Sequence, residues 1–118
     1  AAAQIQKILI QTEEGWHVIP VNRIIRCEAD AVYTRIFLTN NEQILSSKPL
    51  KNYEALLPKS AFVRIHKSHL IHLQFIKKYV KGRGGQVEMT NGTLIPVSRQ
   101  RKTDFIEQLY LFTNNNPI

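Results

Sequence analysis

The chain is 118 residues long, 43% hydrophobic and 21% charged, which fits one domain with a modest core and excludes disordered or collagen-like classes. No apolar run reaches the roughly 18 residues of a membrane span, and the single Cys27 excludes both an intramolecular disulfide and a cysteine-built zinc site within one chain. The net charge of +7 is lopsided: residues 1–59 hold seven basic and six acidic side chains, whereas residues 60–118 hold nine and three.

The N-terminus, Ala1-Ala2-Ala3-Gln4, has neither a starting Met nor the layout of a signal peptide. The expectation is a piece of a longer protein, and the lone cysteine fits a reducing, cytoplasmic compartment. Strands are predicted over residues 7–11 and 16–21, around the turn Glu13-Glu14-Gly15. The next pair covers 24–28 and 32–39, around Ala29-Asp30-Ala31, and a strand over 43–46 follows Asn40-Asn41. Ser47 is placed to cap a short helix with Pro49 in its first turn; Leu50, Tyr53 and Leu57 then share a face, and Pro58 ends it. Strands over 63–66, 86–90 and 93–97 complete the set, the last two joined by Asn91-Gly92, a two-residue turn that tolerates positive φ. Pro20 and Pro96 cannot donate to a ladder, so their strands belong at an edge or a bulge. A second helix is predicted over 99–112, capped by Ser98, with Phe105, Leu109 and Phe112 on one side; residues 113–118 read as a frayed tail. The result is a single, mainly β domain with one or two short helices, its core spanning about 5–112.

Three stretches carry chemistry. Between Glu54 and Glu88 the sequence has no carboxylate, whereas Lys59, Arg64, Lys67, Lys77, Lys78, Lys81 and Arg83 all fall there. Such a charge excess suits a polyanion, or a solvated basic face with no partner. Within it, strand alternation over Phe62-Val63-Arg64-Ile65-His66 turns Val63 and Ile65 to the core and Arg64 and His66 outward, with Lys67 and Ser68 at the strand's end. Donors of these kinds suit phosphate oxygens, and Lys or Arg also reaches guanine O6 and N7. The second stretch opens the last helix as Ser98-Arg99-Gln100-Arg101-Lys102. Cations at a helix start oppose the macrodipole unless an anion binds there. The third is Asp30-Ala31-Val32-Tyr33-Thr34-Arg35, a hairpin end with hydroxyls able to bond phosphate.

Taken in chain order, the three stretches resemble the LytTR domain of LytR/AlgR-type response regulators. The landmarks are Ile25-Arg26-Cys27-Glu28-Ala29-Asp30 leading into Tyr33-Thr34-Arg35-Ile36, then the short helix from Ser47 to Leu57. Phe62-Val63-Arg64-Ile65-His66-Lys67-Ser68 follows with Ile71 and Ile76, and Asn91-Gly92 precedes Ile95-Pro96-Val97-Ser98-Arg99. Roughly residues 5–110 are covered. The resemblance implies an elongated, mainly β domain of short antiparallel sheets, not an enzyme, whose loops enter successive major grooves of double-stranded promoter DNA. It implies binding to direct repeats, often as a dimer, downstream of a receiver or sensor domain, with no cofactor and no membrane contact. Base-contacting positions carry over to Tyr33 (or Val32 beside it), Lys67 and Arg99, and phosphate contacts to Arg64, His66, Ser68 and Arg101. His69, His72 and the glycine-rich Gly82-Arg83-Gly84-Gly85 depart from the family pattern.

Other chemistries fit less well. His66, His69 and His72 are spaced by three, but Arg64 and Lys67 interleave with them and would repel a divalent ion. Ser68 beside His66 lacks a nucleophile elbow and a nearby acid. Gly82-Arg83-Gly84-Gly85 lacks the ending of a phosphate-binding P-loop and reads as a flexible basic hairpin tip. A basic β module binding RNA, or a protein-interaction domain, stays open. An RNA reader would show exposed aromatics along a strand, whereas Tyr33, Phe37, Phe62 and Phe75 are scattered.

Overall fold

The computed structural model describes residues 6–82 and 84–114, so Arg83, the first five residues and the last four lie outside the described residues. Ten strands and two α-helices form three antiparallel sheets. Strands β1 (Lys7–Thr12) and β2 (Gly15–Pro20) make a two-stranded ribbon. The central sheet has five strands: β3 (Ile24–Asp30), β4 (Tyr33–Leu38), β5 (Gln43–Ser46), β6 (Phe62–His66) and β7 (His69–His72), in the order β5-β4-β3-β7-β6. The third sheet holds β8 (Ile76–Val80), β9 (Gln86–Met89) and β10 (Leu94–Pro96), in the order β10-β9-β8. Helix α1 spans Leu50–Leu56 and α2 spans Lys102–Thr113. The molecule is elongated, 47 × 37 × 26 Å along its principal axes.

The central sheet is buried on both faces, and its sequence shows why. Because successive strand residues point to opposite sides, neighbours divide between two cores. Ile24, Phe62 and Leu70 pack with the ribbon's Ile8, Ile10 and Ile19 and with Leu50, Tyr53 and Leu57 around α1. Ile25, Val63 and Ile71 pack on the other side with Val87, Met89, Ile95, Val97 and Phe105. Each such aliphatic or aromatic side chain contributes roughly 1.5–3 kcal/mol on burial. Pro20 closes the ribbon and Pro96 lies on an edge strand, where a missing N–H breaks no ladder.

Several local expectations need correction. Ser47 does not cap α1: Pro49 occupies the N-cap position, and the Ser47 hydroxyl donates to the Gln11 carbonyl at 3.3 Å. Ser98 makes no side-chain cap bond either. Residues Arg99–Arg101 form a 3₁₀ turn closed by the Arg101 N–H on the Ser98 carbonyl at 3.1 Å, and α2 begins only at Lys102. Phe105 is fully buried and Leu109 packs against that core, but Phe112 is exposed. β7 and β8 were not expected at all. Among the described residues no helix is long and apolar enough to cross a membrane.

Candidate nucleic-acid interface

The ladder brings all three chemical stretches to one end of the central sheet. β6 and β7 form a hairpin with the two-residue turn Lys67–Ser68, closed by His66 opposite His69. β3 runs beside β7, and the Ala29 N–H donates to the Ser68 carbonyl at 2.9 Å. The β3–β4 turn, Ala31–Val32, therefore emerges next to the Lys67 turn. The start of the C-terminal helical segment is pinned to the same place, because the Ser98 N–H donates to the Ile65 carbonyl at 2.8 Å. Arg99 follows directly and is exposed.

Each expected residue has a definite setting. Lys67 is exposed at its turn, and Ser68 is half-buried. The His66 ring is committed on one side, since Nδ1 accepts the Ser68 N–H at 3.1 Å, leaving Nε2 as the available donor when the ring is neutral. In the first loop Ala31 takes φ of 56°, and Val32, at the apex, is 70% exposed. Tyr33 begins β4 instead; its hydroxyl donates to the Glu13 carboxylate at 3.0 Å, and that charged acceptor pushes its pKa up. Between the two candidates of this loop, Val32 is the more accessible.

Arg64 departs from its expected setting. Its side chain is only 16% exposed. Nη1 donates to Glu54 Oε1 at 2.6 Å, Nε to the His66 carbonyl at 3.2 Å, and Nη2 to the Lys67 carbonyl. The alternation argument placed it correctly off the core face, but a carboxylate on α1 and two turn carbonyls already hold its guanidinium.

That pattern recurs across the molecule. Of the six arginines among the described residues, Arg23, Arg26, Arg35 and Arg64 are ion-paired, to Glu42, Glu28, Asp30 and Glu54. Arg99 and Arg101 have no ion-pair partner among the described residues, nor does Lys67. The cations left without an ion pair, Lys67 of one stretch and Arg99 and Arg101 of another, thus lie at one rim, where 3₁₀ and helical N–H groups also begin.

The histidines do not assemble as a metal cluster. The His66 and His69 rings are 5.2 Å apart, centroid to centroid. His72 lies elsewhere, 4% exposed, stacked on Phe62 at 4.3 Å with Phe75 at 5.2 Å. Burial lowers its pKa to about 4. Burial also lowers that of His69, opposed in part by the Glu28 carboxylate 3.7 Å away. Among the described residues no group of His, Cys, Asp and Glu could hold a metal ion. Cys27 is fully buried, which pushes its thiol up to about 12 and leaves it unreactive. Phe62 and Phe75 flank His72, and Phe37 lies under the Arg26 guanidinium at 3.8 Å, so these aromatics do not form an open stacking row. Sequence reasoning did not anticipate the exposed apolar residues Leu9, Trp16 and Val18 on the ribbon. Gly82, Gly84 and Gly85 all take positive φ, and a Cβ on buried Gly85 would collide with the Tyr79 hydroxyl.

Residues 14–110 match the family model described as the LytTr DNA-binding domain. The heme-containing CO-sensing transcriptional regulator RcoM 2 of Paraburkholderia xenovorans is 30% identical over 112 residues, covering 92% of this chain and 42% of that protein. The transcriptional regulatory protein LytR of Staphylococcus aureus is 28% identical over 102 residues, covering 85% of this chain and 41% of its own length. The chain thus spans about two fifths of these curated relatives. The LytTr DNA-binding domain of a methyl-accepting/DNA response regulator from Bacillus cereus superposes with a TM-score of 0.76 at 24% identity, covering 92% of this chain and 98% of that one.

Proposed function

The chain belongs to the LytTr DNA-binding domain family, and from that membership we propose that it is the DNA-reading part of a bacterial transcriptional regulator, working in the cytoplasm. In this reading the rim built from the Ala31–Val32 turn, the Lys67–Ser68 turn and the Arg99–Arg101 segment faces the duplex. Lys67, Arg99 and a residue of the first loop (Val32 or Tyr33) reach base edges in the major groove, while His66 Nε2, Ser68 and Arg101 hold phosphate. The target is a promoter with direct repeats, bound by two copies. A receiver or sensor domain elsewhere in the full-length protein supplies the signal.

The observation that supports this most strongly is the convergence of Lys67, Arg99 and Arg101, without carboxylate partners, at a rim where the other nearby arginine is neutralised. Cations left uncompensated on one side of a domain favour a polyanion. The interface is made of turns, so it suits loop insertion and not a recognition helix. Anisotropy titrations of a labelled duplex at several salt concentrations test the reading. With ~4–8 phosphate contacts, log K falls against log salt with a slope of about −4 to −7. Absent binding, or binding indifferent to salt, defeats it. Tight salt-dependent binding to single-stranded RNA alone would favour the RNA-binding alternative.

A further inference from the structure

We propose that Glu54 and Arg64 form a clamp that fixes the Lys67 turn, making both of them positioning residues for specific DNA binding. The inference rests on the reading that Lys67 contacts bases, and it replaces the role in phosphate binding that the family resemblance implied for Arg64.

The turn needs outside support. Lys67 and Ser68 join β6 to β7 without glycine, asparagine or proline, and neither takes positive φ. The backbone preferences that usually hold a two-residue hairpin turn are therefore absent. A register shift between Arg64 and His66 adds a local irregularity. Side chains do the holding instead. His66 Nδ1 takes the Ser68 N–H, and the Arg64 guanidinium takes the carbonyls of His66 and Lys67. The other edge of that guanidinium is bonded to Glu54 at 2.6 Å. Glu54 has a firm base, since α1 is anchored by buried Leu50, Tyr53 and Leu57. One planar fork thus ties a packed helix to the carbonyls of His66 and Lys67, at the entry to the turn that displays Lys67. A lysine could carry the same charge but could not span three acceptors in this geometry.

The clamp makes a prediction opposite in sign to simple electrostatics. Glu54 is an acid close to the proposed phosphate-facing rim, so removing its charge should tighten DNA binding if only charge mattered. If it positions Lys67, Glu54→Gln weakens binding to a duplex selected by the wild-type domain, by about five- to tenfold. Binding to a random duplex of equal length stays the same or tightens slightly. Arg64→Lys keeps the charge a phosphate contact would need, yet should lose the selected duplex to the same degree. In a Lys67→Ala background, Glu54→Gln should cost nothing further, because the side chain being positioned is gone. Thermal melts confirm that each variant is folded.

One readout does not depend on DNA. Amide hydrogen exchange at Lys67 and Ser68 should quicken in Glu54→Gln, while β3 and β6 amides keep their protection. Unchanged exchange at those two amides overturns the clamp whatever the DNA result. So does a Glu54→Gln domain that binds the selected duplex as tightly as wild type, or losses that add fully to those of Lys67→Ala. Failure of the wild-type domain to prefer any sequence would instead strike at base reading by Lys67.

Discussion

Replacing Arg99 with Ala separates base reading from mere charge. Arg99 is exposed, and its side chain has no hydrogen-bond or ion-pair partner among the described residues; only its carbonyl is engaged, by the Lys102 N–H. Its backbone neighbours are held without it: Val97 is buried, and the Ser98 N–H is fixed to the Ile65 carbonyl at 2.8 Å. Truncation should therefore leave folding stability within about 0.5 kcal/mol of wild type. On a selected duplex the loss should be roughly 1–3 kcal/mol, the worth of a bidentate arginine–guanine contact, or about five- to 150-fold in Kd. On random DNA only one phosphate-directed charge is lost, so the change should be much smaller. Arg101→Ala is the control: half-buried two residues further on, it should weaken both duplexes about equally and reduce the salt slope by about one. Fluorescence anisotropy on both duplexes, with circular dichroism for folding, measures all four numbers. Equal losses on selected and random DNA for Arg99→Ala would refute its role as a base reader.

Two further outcomes follow from the histidines. His72 is neutral in the fold down to about pH 4 but titrates near 6.5 when unfolded, so the unfolded chain gains the proton first as pH falls. The His72 contribution to stability should be full above about pH 6.5 and decline between there and pH 4, by up to about 3 kcal/mol; urea melts across that range should show the decline, and His72→Phe should reduce it, leaving the part that His69, also lowered by burial, supplies. Protein purified without a histidine tag should contain no stoichiometric metal and should melt at the same temperature with and without chelator; bound zinc or a clear drop in Tm would reverse the reading of His66, His69 and His72.

Much of the architecture was legible because the two cores use simple periods. The β1–β2 and β9–β10 hairpins carry turn residues and alternating apolar positions, and α2 was visible from Phe105 and its neighbours. β7 and β8 were hidden for a physical reason: the turn before β7 is made by Lys67 and Ser68, with ordinary negative φ, and is held by side chains far less recognisable than Asn-Gly. His69-Leu70-Ile71-His72 also fails to alternate, because both faces of the central sheet are buried. The helix caps misled because Ser47 and Ser98 have the right identity, yet Pro49 takes the N-cap position of α1, Ser47 bonds the Gln11 carbonyl, and a 3₁₀ turn separates Ser98 from α2. At the proposed interface, the sequence offers candidate residues but not their company. That Arg64 is taken by Glu54, ten positions away, depends on how α1 lies against β6, which no local pattern encodes.

The central claim is that one rim of the domain, and not its opposite pole, meets DNA. Amide chemical-shift mapping of the ¹⁵N-labelled domain with a selected duplex tests it most directly. The account predicts that the large shifts cluster at Ala31–Tyr33, His66–Ser68 and Arg99–Arg101, while Val21, His72 and Gln74, at the far end of the central sheet, stay in place. Shifts centred on Val21, His72 and Gln74 would contradict it.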